Sequence, residues 1–290
     1  MSGQEGLVVA LEANRPTIQA SDGTTYLGLL RGKLRQTVGQ VLVGDRVRFA
    51  PTDPGEAVVL EVAPRRNQLV RPPVANVEGM FALFSLVSPR GNRELLDKRL
   101  AIAHLMDLAA EVAITKVDLL EDPSPALALK AVYERAGYRV WLVSAVTLSG
   151  VQAWLEGSRR GIWVLTGESG VGKSSLIRAA LPEATVESQG LSRIGRGRQT
   201  TRTVRLWPFG PEAWLADTPG FTQLSYQVAD RRQILAAFPE IAAVRCRYSD
   251  CWHLREPGCE VQAAVAAGQI DPVRYRHYCQ LLDEWYQPRR

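Results

Sequence analysis

The run Gly167-Glu168-Ser169-Gly170-Val171-Gly172-Lys173-Ser174 has the residue types and the spacing that hold a nucleotide's phosphates. Its glycines let the backbone curl so that the N–H groups of residues 168–175, Ser175 included, can face a β-phosphate at the start of a helix. Lys173 supplies charge to the β- and γ-phosphates, and the Ser174 hydroxyl is suited to ligate Mg²⁺. Such a loop accepts any nucleoside triphosphate, so the choice of base falls to Thr115-Lys116-Val117-Asp118. A carboxylate at Asp118 can accept from both the N1–H and the exocyclic amine of guanine, which adenine does not offer, while the stem of Lys116 lies over the base. Ser144-Ala145 provides a backbone N–H for guanine O6. Asp217-Thr218-Pro219-Gly220 fits a DxxG switch, in which Asp217 holds Mg²⁺ through water and the Gly220 N–H senses the γ-phosphate. Each short motif is common alone; four that converge on one ligand are specific.

A second constellation is Cys246-x4-Cys251-x-His253-x5-Cys259. Three thiolates and one imidazole form the soft four-ligand set of a structural Zn²⁺ site, with no open coordination position for catalysis. Tyr248, Trp252, Pro257 and Gly258 suit a knuckle folded around an ion. His277 and Cys279 fall further on, in a helical stretch, and read as structural.

These residues need a sheet to hold them. Residues 80–87, 111–115, 139–144, 162–166 and 214–217 read as strands, and 93–110, 126–136 and 174–181 as helices. That alternation predicts an α/β domain whose site lies at the carboxyl ends of the strands. Residues 1–65 contain short β-rich runs at 6–11, 26–30, 41–49 and 57–62, separated by turn signals, and predict a small barrel of the OB-fold or SH3-like kind. Residues 65–73 read as a basic linker. From about residue 226 onward the pattern is helical, interrupted by the cysteine-rich loop. The organisation expected is therefore 1–65, 66–225 and 226–290.

With 290 residues, 46% hydrophobic and 22% charged, the chain has the composition of a soluble globular protein. It has no apolar run long enough to span a membrane and no signal-peptide pattern, so a cytoplasmic, membrane-free protein is expected. The net charge of +5 is modest, but Arg193, Arg196, Arg198, Arg202 and Arg205 fall together with no acid among them. Four cysteines, three of them within residues 246–259, point to a metal rather than to disulfides.

The order of the motifs is informative. In Ras-like proteins the phosphate loop comes first and the guanine-reading motifs last; here residues 115–118 and 144–145 precede 167–174, which precede 217–220. A circularly permuted P-loop GTPase domain keeps the same site and sends the chain from the switch directly into the C-terminal segment.

Together these residues resemble the RsgA (YjeQ) family of circularly permuted GTPases that depend on the small ribosomal subunit. The likeness rests on the phosphate loop, on Asp217-Thr218-Pro219-Gly220-Phe221 and on the cysteine–histidine spacing, with echoes at Gly44-Asp45-Arg46-Val47 and Ala75-Asn76-Val77. It implies an N-terminal RNA-binding OB-fold, the permuted GTPase domain, and a C-terminal, mostly helical zinc-binding domain. It also implies GTP and GDP as ligands, the small subunit and its rRNA as partners, and hydrolysis that drives release late in subunit assembly. A small monomeric factor is the default expectation. The family pattern carries asparagine where this chain has Thr115, histidine at Gln199 and threonine at Arg202. Gln199 inherits the expected role of orienting the attacking water, and one of Thr200 and Thr201 completes the Mg²⁺ shell. The arginine run then becomes part of a switch that contacts RNA phosphates. Two competing classes are a P-loop kinase, which would need neither Asp118 nor a zinc knuckle, and an RNA-binding adaptor whose nucleotide site binds but turns over little.

Overall fold

In the computed structural model, residues 3–12, 15–30, 40–70, 73–157, 159–182, 204–210, 212–217 and 227–286 are described. They belong to two compact units, one of residues 1–79, 155–165 and 174–222, the other of residues 80–154, 166–173 and 223–290.

The first unit begins with five strands, of which β2 and β4 alternate in burial: β1 (Gln4–Glu12), β2 (Arg15–Ala20), β3 (Thr25–Leu30), β4 (Arg46–Pro51) and β5 (Glu56–Val62). β1 pairs with both β2 and β4, β2 with β3, β3 in parallel with β5, and β5 with β4. The ring therefore closes in the order 1-2-3-5-4, the partly open Greek-key barrel of an OB-fold, which decides between the two barrels compatible with the sequence. Val8, Ile18, Val47, Phe49 and Val59 fill it. β2 escapes the sequence reading because its inward residues are Pro16, Ile18 and Ala20, alternating with polar ones rather than forming an apolar run.

The stretch expected as a linker is instead tied down. Arg65 donates from Nε and Nη2 to the two oxygens of fully buried Asp45, at 2.7 and 2.9 Å, and β6 (Gln68–Val70) pairs antiparallel with β7 (Pro73–Ala75). The pairing needs Gly44, because at its φ of +92° an added Cβ would meet the Ala75 carbonyl oxygen at 2.2 Å.

The chain continues through β8 (Val77–Ser85), α1 (Arg93–Leu105), β9 (Ala109–Thr115), α2 (Ser124–Arg135), β10 (Arg139–Val143) and α3 (Val151–Glu156). In the second unit the strands lie in the order β10-β9-β8, with β9 and β10 parallel, and Phe84, Leu96, Leu100, Val112, Ile114 and Tyr133 share one core. Helix α1 stops earlier than its apolar spacing suggests. Asp107 adopts a left-handed φ of 55°, and the N–H groups of Asp107 and Leu108 return to the carbonyls of His104 and Ala103. Those two bonds form a Schellman turn with aspartate in the usual glycine position.

β11 (Gly161–Thr166) leads through the glycine-rich loop into α4 (Lys173–Ala180), and the first unit adds β12 (Arg205–Pro208) and β13 (Ala213–Asp217). β11 and β13 are parallel, with Val164 opposite Ala216, so the Asp217 backbone lies at the end from which β11 enters the loop. The second unit closes with α5 (Arg231–Ala236), α6 (Pro239–Ala242), α7 (Glu260–Ala266) and α8 (Pro272–Trp285). Among the described residues no helix is long and apolar enough to cross a membrane.

Candidate nucleotide and metal sites

The loop between β11 and α4 is shaped around its own glycines. Gly172 has a φ of +104°, and a Cβ at Gly167 would lie 2.8 Å from Val171 Cγ1 and 3.0 Å from the Leu83 carbonyl oxygen. Val171 is buried and anchors the loop, whereas Ser169 and Gly170 are exposed. Lys173 Nζ donates to the carbonyls of Gly167 at 2.7 Å and Glu168 at 2.8 Å, so the ammonium sits within the curl of the loop. Burial, with the nearby charge of Arg99, lowers the pKa of Lys173, and Glu168 opposes that shift. Ser174 and Ser175 follow on the exposed first turn of α4.

β9 delivers the second motif to the same loop. Thr115 is 4% exposed, and its Oγ1 lies 2.6 Å from the carbonyl of Val171 and 3.2 Å from that of Phe84. The threonine thus ties the end of β9 to the glycine-rich loop. Lys116 follows with a left-handed φ of 59° and reaches the Ser88 carbonyl at 2.9 Å, its stem passing Gly172. Asp118 stands in a single 3-10 turn, exposed and without a protein partner among the described residues. Ser144, at the end of β10, is fully buried; its Oγ accepts from the N–H groups of Val146 and Thr147 and so shapes the turn carrying Ala145. The second unit therefore brings together Thr115, Lys116 and residues 167–173, with Asp118 and the turn at 144–145 on strand ends of the same β10-β9-β8 sheet.

Two features of this loop carry no sequence signature. The Glu168 carboxylate accepts the Asn92 N–H at 2.7 Å, while the Asn92 side chain caps α1 by accepting from Glu94 N–H at 2.8 Å. The entry of α1 is thereby fastened to the loop. Gln199, Thr200, Thr201, Gly220 and the arginines at 193, 196, 198 and 202 lie outside the described residues, as does the side chain of Asp217.

In the C-terminal segment the four expected ligands converge. The ligand atoms of Cys246, Cys251, His253 and Cys259 all lie within 4.8 Å of one another, so the cluster can hold a metal ion. Cys246 Sγ is 3.4 Å from His253 Nδ1 and 3.8 Å from Cys259 Sγ, and Cys259 Sγ is 3.5 Å from His253 Nδ1. Burial pushes the Cys251 thiol up to about 12. The knuckle is braced from within by Glu256, which accepts the N–H groups of Trp252, Leu254 and Arg255 at 2.8–3.0 Å. It is braced from α8 by Tyr275 and Tyr278, whose hydroxyls donate to the carbonyls of His253 and Trp252.

Helix α8 also reaches α1. Asp97 is buried on α1 and accepts from Tyr133 Oη, from Arg274 Nη1 and, through its second oxygen, from His277 Nδ1. Arg274 turns its other nitrogens to Glu240 and lies over the rings of Tyr133, Tyr138 and Phe238. Arg93 with Asp271, and Lys98 with Glu284, extend the contact. His277 has the structural place expected of it, with a partner 180 residues away.

A five-stranded barrel, a glycine-rich P-loop that follows in sequence the strand ends at Thr115 and Ser144, and a cysteine–histidine knuckle able to hold a metal ion define a circularly permuted GTPase with an OB-fold before it and the knuckle after it. The model of the RsgA GTPase family matches residues 62–227. The chain is 40% identical over 270 residues to the small ribosomal subunit biogenesis GTPase RsgA of Moorella thermoacetica, covering 91% of each chain. With that of Shouchella clausii it shares 37% over 99% of both. Among solved structures it resembles YjeQ from Thermotoga maritima, with a TM-score of 0.81, 32% identity and 97% and 98% of the two chains covered. It also resembles the circularly permuted GTPase YloQ, with a TM-score of 0.80 and 29% identity. This chain belongs to the RsgA GTPase family.

Proposed function

We propose that this GTPase acts in biogenesis of the small ribosomal subunit, binding the particle with GTP and leaving it after hydrolysis to GDP and phosphate. The observation that carries the reading is the tether from Thr115 to Val171, which fastens the guanine motif to the phosphate loop in a chain whose relatives bear that function in their names.

In this reading residues 167–175 hold the phosphates, Lys116 and Asp118 hold guanine, and the backbone at Ser144-Ala145 meets O6. Thr115 supports the base motif from behind. Ser174 and Asp217 hold Mg²⁺, which screens the charge of the phosphates. Gln199 orients the water, one of Thr200 and Thr201 completes the metal shell, and the Gly220 N–H reads the γ-phosphate. Lys173 is already turned into the loop where the β- and γ-phosphates would sit.

The ion of the knuckle is Zn²⁺. Cys246, Cys251, His253 and Cys259 would hold it: three thiolates and one imidazole are the soft donor set that suits Zn²⁺, with the sulfurs of Cys246 and Cys259 3.8 Å apart and His253 Nδ1 3.4 and 3.5 Å from them. The barrel of residues 1–65 and the arginine-rich switch contact rRNA, the GTPase domain occupies 66–225 and the zinc domain 226–290. The protein works as a cytoplasmic monomer.

Sedimentation with purified small subunits tests the proposal. The protein is expected to travel with the particle in a non-hydrolysable GTP analogue and to stay largely free in GDP. Equal sedimentation in the two nucleotides, or none in either, would overturn it.

A further inference from the structure

Helix α1 carries a buried arginine that, among the described residues, has no ion-pair partner; only the charge of Glu168 acts on it favourably. Arg99 is 3% exposed, its Nε has no hydrogen-bond partner, and among the described residues no carboxylate pairs with it. Its neighbours on the helix differ: Asp97 and Lys98 have partners on α8, and Arg93 pairs with Asp271, which caps that helix. Burying a cation without a counter-ion is costly in a folded protein, so such a group points to an anion as its partner.

The direction in which Arg99 faces follows from helix geometry. It lies seven residues after Asn92, hence two turns further on along the same face, about 10 Å away along the axis. Long helical side chains lean back toward the N-terminus, and Arg99 therefore leans toward the end where the Asn92 N–H holds Glu168. The electrostatics agree: Arg99 loses basicity chiefly to burial and regains some from the charge of Glu168, and its own charge depresses Lys173. Glu168 is a single negative charge set among two positive ones and a loop of backbone N–H groups. The loop is thus left with an excess of positive charge that the described protein does not neutralise.

We propose that Arg99 is a second cation of the phosphate site, supplied from α1 beside Lys173, and that its counter-ion is the phosphate chain of the bound guanine nucleotide. The inference rests on the reading that residues 167–174 hold those phosphates. It assigns to α1 a direct part in nucleotide affinity, in addition to its docking on α8.

Equilibrium titration with fluorescent GDP and a fluorescent GTP analogue, together with thermal melting of the nucleotide-free full chain, tests it. Arg99→Met should weaken binding of the GTP analogue about tenfold, the factor expected for one lost charged contact. The nucleotide-free melting temperature should hold or rise, because an unpaired buried charge has gone. Arg99→Lys should bind within about threefold of the parent. Unchanged affinity in Arg99→Met would overturn the proposal. So would a nucleotide-free Arg99→Met that melts well below the parent or fails to fold, since Arg99 would then belong to the ion pairs of the fold. Lys173→Ala separates the two readings. If it binds as tightly as the parent, the phosphate-loop assignment falls and this inference with it. If it binds weakly while Arg99→Met is unchanged, only the role of Arg99 is lost.

Discussion

A buried hydroxyl between two carbonyls can give its proton to only one of them, and at Thr115 the 2.6 Å distance to Val171 marks which. That bond joins the strand that ends in the guanine motif to the loop that curls around Lys173. Thr115→Val keeps the shape of the side chain and removes the donor, leaving a buried carbonyl unpaired at a cost of about 1–3 kcal/mol. Urea denaturation should show a loss of that size, and guanine-nucleotide affinity should fall with it, whereas Thr115→Ser should restore both. Equal stability and affinity in Thr115→Val would remove the tether from the account. The threonine itself was visible in the sequence as a departure from an NKxD pattern. Its consequence was not, because whether a shorter side chain can still reach the loop depends on how closely β9 and residue 171 approach. The glycine-rich loop and the convergence of Cys246, Cys251, His253 and Cys259 were legible for the opposite reason: each residue lies close in sequence to its partners, so spacing alone encodes the geometry.

At the scale of elements, α1 has two attachments, one to the phosphate loop through Asn92 and Glu168 and one to α8 through Asp97. The second is a buried network of charge. Removing one partner from such a network costs about 3–5 kcal/mol, because the others stay buried without compensation. Asp97→Ala should therefore destabilise the protein by about that amount in equilibrium unfolding, a much larger loss than exposed Glu134→Ala would bring by breaking its pair with Lys130. A loss below about 1 kcal/mol would contradict the burial and pairing described. Neither Asp97 nor Arg274 could be picked out by eye, since they are 177 residues apart and each resembles an ordinary charged helix residue. The metal knuckle depends on the same helix. Chelation should release Cys246, Cys251, His253 and Cys259, free Tyr275 and Tyr278, and lower the helical circular dichroism of the C-terminal segment. A spectrum unchanged after complete removal of the ion would count against a structural metal.

For the whole molecule, the order of its parts is the informative property. The alternation of strands and helices, the closed barrel and the permuted order of the motifs could all be read from patterns of period two and 3.6 and from short signatures. What could not be read were features set by tertiary context, such as the left-handed Asp107 that ends α1, β2 with its sparse apolar residues, and the hairpin at 68–75. Permutation places the strand ends at Thr115 and Ser144 before the glycine-rich loop and the cysteine–histidine knuckle after residues 217–220, while α1 and α8 are joined by ion pairs within the second unit. Through Asn92 and Asp97, α1 joins the glycine-rich loop to α8. The most direct test is the steady-state rate of GTP hydrolysis with and without purified small ribosomal subunits, with ATP as the control nucleotide. Turnover of GTP should rise at least tenfold with the particle, with no comparable turnover of ATP. A GTP rate unchanged by the particle, or equal use of ATP, would contradict the proposed function.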